Sequence, residues 1–475
     1  IVRLGTFMRE ADWGLEEASD LNTVLSLPAF LALPEQRGLL LKASGAARDE
    51  AIKAVQNAAF RFLASVPPGK LRFLFIDPVG LGANAASLLN LKDYDESEED
   101  SLVGAQAWVE GDHIRRQLLR IKEHIATVVQ ERLRDQYADI ESYNQEAGEV
   151  AVPYQLVVVF DFPANFNEES AKDLLSIAQT GPRVGVYPVI VMDPGRKPPY
   201  GFSVEELERI LTVIEWDGGR WVWRDEDFAP WDFRLDTAPP KETAELLINR
   251  WGTEAKEGML VRVPFDKMLE AARLESDVWW RDSTRDGLEI PLGPITARKP
   301  QRMILGRGTW NHGLIVGRTG SGKSNLMHVI ITAAALKYPP DELQMYLVDL
   351  KTVEFTAYRD LPHAVAVAID ADREFALSVL EGLDQEMRER MDAFRSVGAN
   401  DVAEYRDKTR EVLPRILLIV DEFQVLFEQD DRIAQEANRL LDRLARQGRA
   451  FGIHVLLGSQ SLGGHSLPRS TLDQM

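Results

Sequence analysis

Cysteine is absent from the 475 residues. No disulfide framework or thiolate metal site can therefore form, and a reducing compartment fits. No apolar run approaches the roughly 20 residues needed to cross a bilayer, and no signal-peptide pattern opens the chain. A cytoplasmic location is the expectation. The first residue is Ile1, not Met, which suggests a piece of a longer chain, with room for a membrane anchor outside it. Positive charge is also scarce: 55 Lys and Arg stand against 75 Asp and Glu, a net charge of -20. That excludes a surface coated along its length by nucleic acid but leaves local contact through loops open. Most of the acidic excess lies in the first 300 residues. The seven histidines are scattered, without zinc-ligand spacing. What remains is an ordinary globular composition, 45% hydrophobic and 27% charged, in a chain long enough for two or three domains.

Short apolar runs that end at an aspartate recur along the chain. "LRFLFID" (Leu71 to Asp77), "QLVVVFD" (Gln155 to Asp161) and "VGVYPVIVMD" read as buried parallel strands, with helical spacing from Ile114 to Tyr137 between them. From Pro194 to Pro300 the alternation stops and tryptophan becomes dense, including Trp216, Trp221, Trp223, Trp231, Trp251, Trp279 and Trp280; short strands, one helix near Lys241 to Trp251 and loops are expected there. Packing is the expected role of these rings rather than ligand stacking. After Arg302 the alternation returns: "HGLIVG", a helix from Lys323, "LQMYLVD", a helix across Glu374 to Arg395, "RILLIVD", a helix across Arg432 to Gln447, and "IHVLLGSQ". Helices between buried strands predict a mainly parallel sheet covered on both faces. The expected division is an α/β domain over 1–200, a Trp-rich connector over 201–300 and a second α/β domain over 301–475.

The two alternating segments are copies of one another. "GLLLKASGAARDEA" from Gly38 meets "GLIVGRTGSGKSNL" from Gly313. "VPPGKLRFLFID" meets "YPPDELQMYLVD", "QLVVVFDFPANF" meets "RILLIVDEFQVLF", and "GPRVGVYPVIVM" meets "GRAFGIHVLLGS". Aligned without gaps, Gly317 falls on Lys42, Lys323 on Arg48, Ser324 on Asp49 and Asp421 on Asp161. The first copy thus keeps the frame of a phosphate site and loses its chemistry, so it is expected to bind no ATP or to bind it without turnover.

The second copy keeps the chemistry. "GRTGSGKS", Gly317 to Ser324, matches G-x-x-x-x-G-K-[ST], a pattern with odds of about 2% of arising by chance in a chain of this length. Gly317, Gly320 and Gly322 let the backbone curl so that its N–H groups face phosphate oxygens. Arg318, Thr319, Ser321 and Asn325 complete the expected ATP-binding run, and the helix from Lys323 adds its positive end. Lys323 is placed to reach the β- and γ-phosphates, and Ser324 to ligate Mg²⁺. "RILLIVDE" then delivers Asp421 and Glu422 to the C-terminal edge of the sheet, Asp421 as a second Mg²⁺ partner and Glu422 to orient and polarise water. Ser459-Gln460 ends the next strand, where a polar group senses the γ-phosphate. Arg443, Arg446 and Arg449 lie on or just after a helix, and one of them acting in trans on a neighbour's site would require a ring.

These residues resemble the FtsK/SpoIIIE family of hexameric motors, RecA-like P-loop ATPases. Asp349, Lys351 and Glu354 in "YLVDLKTVEF", the turn "DLPHAVAVAID" and the blocks "GANDVAEYRD" and "IVDEFQVLF" add to the likeness. By that resemblance Arg449 is the arginine finger and Gln460 the sensor. "VPFDKMLEAARLESDVWWRDSTRDGLEIPLGP" is similar to the linker before motor domains in the type VII secretion ATPases (EccC), a branch that strings several such domains on one chain, some degenerate. The implied fold is tandem RecA-like P-loop NTPase domains, the first degenerate and the second incomplete at its C-terminus. The implied cofactors are ATP and Mg²⁺, and the implied assembly is a homo-hexamer. Two substrates stay open: double-stranded DNA, favoured by the motor blocks, and a protein substrate, favoured by the tandem copy and the acidic balance. A scaffold that only binds ATP is the third reading. One departure bears on DNA: the family's Gln-Arg-Pro is Gln460-Ser461-Leu462 here.

Overall fold

The computed structural model describes residues 1–10, 24–95, 101–134, 136–259, 262–297, 299–351, 353–369, 372–460, 469–472 and 474–475. The chain divides into two compact units, Ile1–Arg262 and Val263–Met475.

In the second unit the strands β12 (Gly313–Val316), β13 (Leu343–Asp349), β14 (Ala364–Ala368), β15 (Arg415–Asp421) and β16 (Ile453–Ser459) form a five-stranded sheet in the order β12-β16-β15-β13-β14. All its pairings are parallel. The crossovers run through the helices Lys323–Lys337, Arg373–Val397 and Arg432–Gln447. Alternation along β15 explains why the strand must be sandwiched. Leu417 and Ile419 pack with Met327, Ile330 and Ala334 on one face. Ile416, Leu418 and Val420 pack with Leu383, Met387 and Leu440 on the other. The hairpin of β10 (Leu288–Thr296) and β11 (Lys299–Leu305) forms a separate two-stranded sheet whose Leu288 and Ile290 join the Lys323–Lys337 side of the core.

The first unit holds a nine-stranded sheet in the order β2-β1-β9-β8-β7-β3-β6-β5-β4. Its strands are β1 (Val2–Glu10), β2 (Val24–Leu31), β3 (Leu39–Lys42), β4 (Leu71–Ile76), β5 (Tyr154–Phe162), β6 (Val186–Met192), β7 (Thr212–Trp216), β8 (Trp221–Trp223) and β9 (Asp232–Leu235). From β7 to β4 the pairings are parallel; from β7 to β2 they are antiparallel. The run β3-β6-β5-β4 repeats β12-β16-β15-β13 in order and direction, so the internal repeat is a repeat of topology. Both units have the α/β architecture of RecA-like P-loop NTPases, all parallel in the second unit's five-stranded sheet and parallel from β7 to β4 in the first.

The Trp-rich stretch is not a connector, because the units divide inside it. β7 to β9 extend the first sheet and the helix Lys241–Gly258 joins the same core, packing on the helix Ala46–Ser65, while 263–300 belongs to the second unit. Trp221, Trp223 and Trp251 are buried in the first core, and Trp280 donates through Nε1 to the Ala335 carbonyl at 2.8 Å. The expected boundaries at 200 and 300 failed because apolar strands that finish a sheet carry no composition signal that tells them from a linker. Among the described residues, no helix is long and apolar enough to cross a membrane.

Candidate nucleotide site

Parallel pairing brings the ends of four strands together. Val316 lies opposite Ser459, the Gly317 N–H donates to the Ser459 carbonyl at 3.0 Å, and Asp349 lies opposite Asp421. The loop from Gly317 then curls through Gly320 (φ 82°) and Gly322 (φ 90°), a left-handed conformation that side-chain-bearing residues rarely adopt. A Cβ at Gly317 would strike the Ser321 hydroxyl. Gly322 caps the helix Lys323–Lys337 without any side-chain cap, so its first N–H groups point out unsatisfied, the arrangement that receives an anion. Nothing would crowd a Cβ at Gly320 or Gly322: the cradle is open. Arg318, Thr319, Gly320, Ser321 and Asn325 are exposed around it, and Ser324 is half-buried.

Lys323 reaches across this loop to both carboxylates. Its Nζ is paired with Asp421 Oδ1 and lies 2.9 Å from Glu422 Oε1. The three side chains are 8%, 2% and 3% exposed. Burial pushes the Asp421 carboxyl up, with Lys323 working against it. Burial also acts on Glu422, but hydrogen bonds from Lys323 and Gln424 outweigh it and hold that carboxyl below its usual range. On Lys323 burial is opposed by the two acids, and the net effect is an ammonium harder to deprotonate. Glu422 has φ 53°, just past the strand end, which turns its side chain back over the loop. Gln460 completes the group: its Oε1 lies 3.5 Å from Thr319 Oγ1, and it helps hold the Glu422 carboxyl low.

The residues present fit a magnesium nucleotide. The uncapped helix end and Lys323 offer donors to phosphate, and Ser324 and Asp421 offer oxygens to Mg²⁺. Among the described residues no group of three or more His, Cys, Asp or Glu could hold a metal alone, which suits an ion that takes phosphate and water as most of its ligands.

Arg449 is not part of this group. It sits exposed on the turn Gly448–Phe451, before β16 begins, whereas Gln460 follows the end of β16. A seven-residue strand spans about 23 Å. Arg443 is paired with Asp384 at 3.0 Å and Arg446 with Asp442 at 2.9 Å, while Arg449 has no side-chain partner among the described residues. Ser461 and Leu462 lie outside the described residues.

The first unit shows what erosion did. The Tyr154 N–H bonds the Lys70 carbonyl as Arg415 bonds Glu342, and Gln155 bonds Gly185 as Ile416 bonds Gly452. In this register Asp161 stands where Glu422 stands, not where Asp421 does, and Phe160 replaces Asp421. The matching left-handed φ of Asp161, 58°, agrees. Likewise the Ala43 N–H bonds Met192 as Gly317 bonds Ser459, so Ala43, not Lys42, is the counterpart of Gly317. From Ala43 only Ser44 and Gly45 precede the helix Ala46–Ser65, which has 20 residues against 15 in the second unit. Both helices end just before Pro-Pro, so the extra length is at the start. Helix has replaced the phosphate loop. From that added turn Arg48 grips Asp161 through two nitrogens, Nε and Nη2, the latter at 2.7 Å, much as Lys323 grips Glu422.

Two contributors escape a reading by motif. Gly458, inside β16, leaves no room for a Cβ between Met327 and Asp421; a glycine inside a buried strand was the available signal of close approach. Gln424 donates through Nε2 to Glu422 Oε2 at 2.5 Å, and nothing in its spacing announces it.

Sheet order, phosphate loop and paired strand-end acids define a P-loop NTPase. More narrowly, residues 271–464 match the FtsK/SpoIIIE family. It is 30% identical over 239 residues to the DNA translocase FtsK of Streptococcus agalactiae, covering 48% of this chain and 27% of that protein. It is 27% identical over 307 residues to the DNA translocase FtsK of Streptococcus pneumoniae, covering 62% of this chain and 35% of that protein. The chain thus spans well under half the length of either relative. The cytoplasmic domain of the type VII secretion ATPase EccC of Thermomonospora curvata is similar at 16% identity and a TM-score of 0.46, over 99% of this chain and 58% of that one.

Proposed function

We propose that the second unit binds ATP with Mg²⁺ and hydrolyses it, and that the chain works as an FtsK/SpoIIIE-type motor that translocates double-stranded DNA as a homo-hexameric ring. The observation that carries the reading is the convergence of Lys323, Asp421, Glu422 and Gln460 on an uncapped helix end. In the working state Lys323 leaves the carboxylates for the β- and γ-phosphates. Ser324 and Asp421 hold Mg²⁺, Glu422 takes up the attacking water, and Gln460 contacts the γ-phosphate. The placement of Arg449 at the far edge of the sheet supports a ring: it is too distant to serve its own site and is exposed to serve a neighbour's. The family relatives named as DNA translocases support duplex DNA as the substrate. The first unit, whose cradle is filled by helix and whose acid is held by Arg48, contributes structure and no turnover.

The test is steady-state ATPase activity of the intact chain with and without long linear duplex DNA at two salt concentrations, with Glu422→Gln as the blank. Stimulation by DNA that fades with salt is expected. Turnover indifferent to DNA refutes the DNA reading and turns the search to a protein substrate. No turnover refutes the enzyme.

A further inference from the structure

Gln424 lies two residues beyond Glu422, on the turn Phe423–Phe427 that follows β15. Its Nε2 donates to Glu422 Oε2 at 2.5 Å. The opposite orientation of the amide would set its oxygen against a carboxylate, so Glu422 fixes which end faces it. Among the described residues that leaves Gln424 Oε1 buried without a hydrogen-bond partner, an arrangement that folded proteins seldom leave unused. The other carboxylate oxygen, Glu422 Oε1, is held by Lys323. In the ligand-free protein, then, both oxygens of Glu422 are occupied, one by a group that phosphate would draw away and one by a group that has no reason to move.

We propose that Gln424 is a positioning residue for ATP hydrolysis: it anchors Glu422 Oε2 so that Oε1, once Lys323 turns to the phosphates, is the oxygen that receives the proton of the attacking water. The inference rests on the proposed ATPase reading. In the step so served, the water oxygen bonds to the γ-phosphorus while the bond from that phosphorus to the β,γ-bridging oxygen breaks. The electron pair of that bond leaves on the ADP oxygen, and the water's proton passes to Glu422 Oε1. The bond to Gln424 still restrains Glu422 Oε2 when the cation leaves, and that restraint is what Gln424 adds beyond the strand-end acids themselves.

The experiment compares the intact chain with Gln424→Ala and Gln424→Met, the second filling the same space without a donor, by kcat, by KM for ATP and by thermal midpoint. Both variants are expected to lose about tenfold or more in kcat, with KM within about twofold and an unchanged midpoint. An unchanged kcat in both, with wild-type turnover that depends on Glu422, overturns this inference alone. A raised kcat overturns it too, since Gln424 would then restrain Glu422 rather than aim it. Loss of the fold in both variants assigns the contact a purely structural role and overturns it as well. Absence of turnover in the wild type removes the ATPase reading and this inference together.

Discussion

Arg48→Ala is the perturbation that best exposes what replaced nucleotide in the first unit. Asp161 is 2% exposed and Arg48 26% exposed at their side chains, and the guanidinium binds both carboxylate oxygens. Removing the cation leaves a buried carboxylate with its solvation lost and its partner gone. Breaking a buried pair costs about 3–5 kcal/mol; with the arginine partly open to solvent, about 2–4 kcal/mol is the fair expectation. For a unit of this size that corresponds to a fall in midpoint of roughly 5–15 °C. Trp221, Trp223 and Trp251 are buried in the first unit, whereas Trp279, Trp280 and Trp310 of the second are exposed, so tryptophan fluorescence during thermal unfolding reports chiefly on the unit in question. Arg48→Lys, which offers a point charge in place of a fork, should lose less. Arg48→Ala combined with Asp161→Asn should recover most of the loss, because asparagine tolerates the left-handed backbone there and carries no charge to strand. Mg-ATP should leave the fluorescence transition where it is. A change in stability below about 0.5 kcal/mol for Arg48→Ala, or a double variant worse than either single one, would refute the claim that the pair holds this site together.

In the second unit Lys323→Ala should abolish binding of a fluorescent ATP analogue. Without nucleotide it should also destabilise the unit by about 2–4 kcal/mol, because Asp421 and Glu422 lose a cation they share; calorimetry checks this, and Glu422→Gln should be far milder. Gly458→Ala should raise the Kd for Mg-ATP at least tenfold in a direct titration, since its methyl group displaces Asp421 or Met327. Acid should weaken the second unit through two neutral histidines. Burial pushes His312 down to about 4 and His454, with Arg415 adding to the effect, down to about 3. His312 Nδ1 accepts the Val455 N–H at 3.1 Å and His454 Nε2 faces the Arg415 guanidinium at 3.2 Å, so neither site tolerates a proton. Unfolded histidines titrate near 6.5, so from about pH 6.5 downward the unfolded chain takes up protons the folded one refuses. Stability is full above that pH and falls by up to about 1.4 kcal/mol per pH unit for each histidine. Denaturant titrations from pH 7 to pH 5 should show the fall, and His312→Leu should flatten it.

The parts of this molecule that were legible in the sequence are those in which a local pattern and a tertiary need coincide. The helix expected over Arg432 to Gln447 runs over those residues because Asp431 caps it by accepting from the Ala434 N–H and its leucines fall on one face. Lys323, Asp421 and Glu422 were found together because an apolar strand can end in charge only at a sheet edge, and parallel strands gather such ends at one edge. The strands β1 and β2 were missed, and β7 to β9 were expected only as short strands of a connector, for the converse reason: they complete a sheet from its side, and nothing local ties them to it. The copy-to-copy alignment slipped for a subtler one. A gapless comparison assumes that strand, loop and helix erode in place. Here the loop was exchanged for a helical turn, and the register of β5 moved Asp161 to the position of Glu422. Only the pairing of main-chain hydrogen bonds reveals that shift, because register is a relation between strands and a single strand does not encode it.

That shift changes the meaning of the degenerate copy. Read as substitutions, Arg48 and Asp49 are damage to a phosphate site. In the fold, Arg48 rises from a turn of helix that lies where phosphate would sit, and it makes with Asp161 the contact that Lys323 makes with Glu422 in the ligand-free second site. The second unit must choose between its internal pair and phosphate, because one ammonium cannot serve both. The first unit faces no such choice, since the guanidinium that neutralises its acid belongs to the element that closed the cradle. Two copies of one topology therefore differ in how they use an ion pair: one can exchange its internal pair for a ligand, and the other has made the pair permanent. On the proposed motor reading, the first behaviour is needed wherever ATP is turned over, and the second wherever a fixed surface must hold its shape through the cycle.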